Sequence, residues 1–112
     1  MKKGATPSSG GSNKLYIDTV PHGDSKVVNP NELDKPNILE KNAYDEAIIS
    51  NANNTQLNSK ALFNVLRALK SGSKCVINMN SKADAEKAAQ TGKVAGFISS
   101  YVSGSTVTLT KS

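Results

Sequence analysis

The chain of 112 residues carries a net charge of +5, 37% hydrophobic residues, only 4% aromatic residues and a single cysteine. That length suits one domain with a small core, which without Trp must be built mainly from Leu, Ile, Val and Ala. One cysteine excludes an internal disulfide and a multi-cysteine metal site, and no apolar run approaches the roughly 20 residues that span a bilayer.

Residues 1–13 are rich in Ser, Gly and Lys without periodicity, a composition that predicts a disordered tail ahead of a single domain over residues 14–112. The basic start Met1-Lys2-Lys3 has no hydrophobic segment after it and does not read as a secretory signal. The glycosylation pattern Asn53-Asn54-Thr55 then has no consequence, and a reducing intracellular compartment is expected. Leu15-Tyr16-Ile17 is the first strand candidate. Thr19 to Asp24 holds Pro21 and Gly23 and turns. Val27-Val28 reads as a very short strand closed by Asn29-Pro30. Residues 31–42, interrupted by Pro36, offer one or two helical turns around Ile38-Leu39-Glu40.

The stretch from Tyr44 to Met79 organises the chain. Tyr44 to Ser50 is a short apolar run with β-branched residues at its centre, broken by Asn51 to Asn54. From Leu57 the period changes: Leu57, Ala61, Leu62, Val65, Leu66 and Leu69 recur at helical spacing, with Lys60, Asn64, Arg67 and Ser71 opposite them. Leu66 reads as the centre of that apolar face, and Gly72 as the left-handed cap that ends the helix. Lys74 to Met79 is a second strand. Strand, helix and strand in this order predict a parallel, right-handed βαβ unit. Runs with little alternation suit strands covered on both faces.

Ser81 to Asp84 resembles a capping box, and an Ala-rich helix follows to Gly92. Val94–Val102, the turn Ser103-Gly104-Ser105 and Thr106–Thr110 predict a β-hairpin, with Gly96 marking a bend in its first strand.

Few residues suggest chemistry. His22, the single histidine, lies in a Pro-Gly turn with Asp24 close by; an exposed loop histidine is the simpler reading. Asp18 reads as a strand-end residue. Cys75 opens an apolar strand and reads as a small buried hydrophobe. Asn51, Asn53, Asn54, Asn78 and Asn80 follow the two central strands, at the edge where open α/β sheets bind ligands, although turn chemistry explains them more simply. One glycine after the first strand does not make the Gly-rich turn that S-adenosylmethionine requires. Lys60, Arg67, Lys70 and Lys74 share one side of the long helix and its exit, a candidate docking face for a protein partner. A single arginine and no interleaved aromatics speak against nucleic acid.

The order strand, helix, strand, short helix and terminal hairpin resembles the second half of a class I methyltransferase sheet. Tyr44 to Ser50 looks like its fourth strand, Leu62 to Ile77 like its helix-Lys-x-Gly-strand passage, and Ala95-Gly96-Phe97 like the opening of its sixth strand. Within that superfold, Val27-Val28, Asn31-Glu32-Leu33, Tyr44-Asp45, Leu62 to Ile77 and Gly96-Phe97 follow the order of the anamorsin family. The resemblance implies an α/β fold: a truncated methyltransferase-like, Rossmann-like sheet, mostly parallel with a C-terminal antiparallel hairpin and helices on both faces. It also implies a non-catalytic protein-docking domain of cytosolic iron–sulfur cluster assembly, in the cytoplasm or mitochondrial intermembrane space. Its partner there is a diflavin reductase. No cofactor is expected in this domain, and the clusters belong to a cysteine-rich segment beyond it. A monomer that binds neither membrane nor nucleic acid is expected. A remnant that still binds S-adenosylmethionine and a basic nucleic-acid-binding domain are the alternatives.

Overall fold

The structure, a computed structural model, describes residues 13–112. Its strands are β1 (Lys14–Ile17), β2 (Lys26–Val28), β3 (Tyr44–Ile49), β4 (Leu69–Asn78), β5 (Ser99–Ser103) and β6 (Thr106–Thr110). The helices are α1 (Ser59–Ala68) and α2 (Lys82–Ala95), with one 3-10 turn at Pro30–Glu32. The strands form one mixed sheet in the order β2-β1-β3-β4-β6-β5. The β2–β1, β1–β3 and β3–β4 pairs are parallel, and β6 pairs antiparallel with both β4 and β5. The α/β class, the parallel β3-α1-β4 unit and the C-terminal hairpin agree with the sequence reading. None of the described helices is long and apolar enough to cross a membrane.

Alternation along the strands decides what the sheet buries. Leu15, Ile17, Ala47, Ile49, Cys75, Ile77, Val107 and Leu109 point to one face and are all fully buried. Asn58 starts α1 by accepting from the Ala61 N–H through its side-chain oxygen at 2.9 Å, which satisfies one of the unpaired first-turn donors. The helix then lays Ala61, Leu62, Val65 and Ala68 on this buried face. Ser81 caps α2 in the same way, its Oγ accepting from the Asp84 N–H at 3.2 Å. Ala85, Ala88, Ala89 and Gly92 form the buried side of α2. Gly92 permits a close approach to the sheet, because a Cβ there would stand 2.6 Å from the Leu109 methyls.

Both helices lie on this one face and pack against each other. Leu33, Ile38 and Leu39 join the same core from the connection between β2 and β3. The expected helices on both faces are therefore not found among the described residues. The connections before β3 are the physical reason: residues 18–25 are too few for a crossover helix, and residues 29–43 are interrupted by Pro30 and Pro36. On the uncovered face, strand register places Val27, Tyr16, Ile48, Val76, Thr108 and Tyr101 in one row across the sheet. Most of that row is half-buried by its neighbours, and Tyr101 at the β5 edge is 69% exposed.

Several expected boundaries move. Helix α1 ends at Ala68, not at Gly72, because Leu69 turns extended (φ −80°, ψ 146°) and pairs with Tyr44 of β3. Gly72 lies inside β4 at φ 80°, in the stretch where the register with β3 shifts between Tyr44 and Glu46. Helix α2 runs past Gly92 to Ala95 and is capped by Gly96 at φ 123°, so Gly96 ends a helix and does not bend a strand. Residues 38–40 form no helix; the one helical turn in that connection is at Pro30–Glu32. Leu66 is only partly buried and leans toward Gly96 at the end of α2, while Leu62 and Val65 occupy the centre of the helix–sheet contact. Of the expected tail, residues 1–12 lie outside the described residues. Asn13 is tied down, its N–H donating to Asp45 Oδ2 at 2.8 Å and its side-chain amide to the Ala43 carbonyl at 2.7 Å.

Candidate functional site

The chain leaves β1 toward β2 on one side, and β3 adds to its other side, so strand order reverses between β1 and β3. The carboxyl ends of strands at such a reversal form the crevice where open α/β sheets take ligands. In this chain side chains of its own occupy that place. Asp18, the residue after β1, is 5% exposed. Its Oδ1 accepts from the Asn51 side-chain amide and from the Thr19 N–H, each at 2.7 Å. Its Oδ2 lies 2.7 Å from His22 Nε2. The His22 ring stacks on Tyr16 with centroids 4.0 Å apart and planes 5° apart. Asn51 reaches Asp18 from the left-handed turn after β3, at φ 57°, a conformation asparagine tolerates better than most residues.

The electrostatics follow from these bonds. Asn51 first, then His22 and the Thr19 N–H, hold the Asp18 carboxyl down at about 2, against the burial that pushes it up. The contact to Asp18 uses Nε2, which leaves Nδ1 as the ring nitrogen outside this bond. That pair has the form of an oriented acid–base dyad, but no hydroxyl or thiol is hydrogen-bonded to it among the described residues. The bonds to Asp18 tie the end of β1 to the turn after β3 and to the loop that carries His22.

The sequence placed His22 beside Asp24; the structure pairs it with Asp18 instead. The spacing of four residues across a Pro-Gly turn was the local signal for this pair. Asn51, which lies 33 residues beyond Asp18, had none. Of the other asparagines, Asn53 is a turn residue as expected, whereas Asn54 and Asn78 reach across the fold. Asn53 exchanges hydrogen bonds with Gln56, Asn54 donates to the Asp84 carbonyl at 3.2 Å, and Asn78 donates to Ser50 Oγ at 3.3 Å.

The four basic residues expected on one side of the helix are split apart. Lys60 and Arg67 lie on α1. Lys70 lies on β4, because the helix ends before it, and pairs with Asp45 at 3.2 Å. The N–H of Asn13 first, and then Lys70, hold the Asp45 carboxyl below its ordinary value. Lys74 is on the uncovered face of the sheet, opposite Glu46 in register. Lys60 and Arg67 remain together and line a cleft of about 280 Å³ with Phe63, Asn64, Asp34, Pro36 and Asn37. The sequence reading passed over Phe63. Its signal was an aromatic outside the apolar stripe, three residues after one cation and four before another.

Cys75 is fully buried in β4, and burial first, with Glu46 adding to it, pushes its thiol well above the ordinary range. A thiol-reactive probe is expected to label Cys75 only as the protein unfolds; labelling at the rate of a free thiol under native conditions would contradict this burial. A single buried cysteine does not fit an iron–sulfur cluster, which takes several thiolates. Among the described residues no group of three or more His, Cys, Asp or Glu side chains is arranged to hold a metal ion. A scan of protein-family models finds no match to the chain, and a search of curated proteins finds none either.

Proposed function

We propose that this chain is a non-catalytic, methyltransferase-like domain that docks a protein partner in cytosolic iron–sulfur cluster assembly and electron transfer, the role its anamorsin-like residues imply. The observation that carries the reading is the sheet itself. Parallel strands β2, β1, β3 and β4 are closed by the antiparallel β6–β5 hairpin, and Leu62 to Ile77 forms the α1–β4 passage on which the resemblance rests. A second feature supports the non-catalytic half of the proposal. After β1, where a methyltransferase would need a Gly-rich turn open to its cofactor, Asp18 is engaged by Asn51, His22 and Thr19.

Two measurements test this reading. Calorimetry with S-adenosylmethionine is expected to give no saturable heat, and a micromolar dissociation constant would restore an active or remnant methyltransferase. A diflavin reductase is expected to bind the domain reversibly, with association that slows as salt rises, because charge acts mainly on encounter. Absence of any binding at low salt would remove the docking role.

A further inference from the structure

Deepening the docking role and resting on it, we propose that the cleft between α1 and residues 34–37 is the docking groove, and that it takes an acidic segment of a protein partner bearing an apolar side chain flanked by carboxylates. Phe63 forms its apolar floor. Phe63 is 45% exposed although it belongs to a helix with a fully buried stripe on its other side. Lys60 precedes it by three residues and Arg67 follows it by four, so all three share one helix face. The Arg67 guanidinium carbon stands 5.7 Å from the centre of the Phe63 ring, which holds the cation beside the apolar surface.

The cations are available. Lys14, Lys35 and Lys70 each pair with a carboxylate, whereas neither Lys60 nor Arg67 has such a partner among the described residues. Asp34, the carboxylate on the groove wall, is engaged instead by the Asn58 side-chain amide at 3.3 Å. The wall is also fixed in place. The Asn64 side-chain amide donates to the Leu33 carbonyl at 2.8 Å and to the Lys35 carbonyl at 3.0 Å, tying the connection to α1. A groove held open by its own hydrogen bonds loses little freedom when it is filled. About 280 Å³ suits one apolar side chain, and the two cations above and below it suit the carboxylates on either side. The net charge of +5 favours an acidic partner over a second copy of the chain.

The test is an amide-resolved NMR titration of the whole chain with a synthetic octapeptide carrying Leu-Phe between glutamates. Saturable shifts are expected at Asn37, Lys60, Phe63, Asn64 and Arg67, and the affinity should fall at least tenfold in Phe63→Ala and in Arg67→Glu. Phe63 is exposed and Arg67 partly buried, and an unchanged Tm confirms that the fold is kept in each variant. The same peptide with lysines in place of glutamates should not bind. The groove is overturned if the shifts fall instead around Tyr16, Ile48 and Val76, if both variants bind as the parent does, or if a uridine oligonucleotide competes as well as the peptide. Undiminished binding of a diflavin reductase by the two variants would overturn the groove and leave the docking role standing. Loss of reductase binding only in these variants would support both.

Discussion

Leu62→Ala is expected to lower the free energy of unfolding by about 2–5 kcal/mol, the range for truncating a fully buried leucine without collapse of the cavity. Leu62 has no exposed surface and sits with Ala61, Val65 and Ala68 on the buried side of α1. Its neighbours cannot close the gap, because the β-sheet beneath is pinned by the β3–β4 and β4–β6 ladders. Leu66→Ala should cost clearly less. That side chain is only partly buried and meets the end of α2 at Gly96, where a Cβ would stand 2.9 Å from its Cδ2. Arg67→Ala, at a partly buried position outside the apolar stripe, should also cost less than Leu62→Ala. Urea titrations of the three variants check the order. A loss at Leu66 equal to that at Leu62 would put the centre of the contact one helical turn further on.

Most strands, the parallel β3-α1-β4 unit and the C-terminal hairpin were legible in the sequence, because short β-branched runs between turn residues leave little choice of element. The covered faces were less so. Ile48 and Val76 lie on the uncovered face, yet as β-branched apolar residues they fill the alternate positions of β3 and β4. The runs then look continuous, which is the pattern of strands buried on both sides. Element ends were misread where glycine serves packing as well as turning. Gly92 looked like a helix stop but is required by the Leu109 side chain lying across it. Gly72 looked like a cap, while the helix had already ended at the pairing of Leu69 with Tyr44, a contact between distant residues that no local pattern announces. The same limit applies to the sites. His22 and Phe63 were visible as residue types, but Asn51 beside Asp18 and the 34–37 wall beside Phe63 exist only once the chain has folded.

Asp18→Asn is expected to change how stability depends on acid. The folded carboxyl titrates at about 2, below its ordinary value of 3.8. A depressed carboxyl contributes stability that is fully present above its unfolded value and is lost as pH falls through its folded value. The window is therefore from about pH 4 down to about pH 2, and across it the wild-type unfolding midpoint should drop. Asp45, whose carboxyl is also held down, contributes to the same drop, so the informative quantity is the difference between the two proteins. The amide introduced by Asp18→Asn cannot ionise. At pH 7 the variant should be less stable by about 1.5–3 kcal/mol, the range for hydrogen bonds to a charged group, and this gap should narrow toward pH 2 as wild-type Asp18 protonates. Asn51→Ala removes the largest cause of the depression, so the Asp18 carboxyl should titrate closer to 3.8 in that variant. Carboxyl-carbon NMR of Asp18 reads this directly. A gap that stays constant from pH 7 to pH 2 would mean that the charge on Asp18 does not fasten the loop to the sheet edge, and that the shape of its hydrogen bonds alone does so.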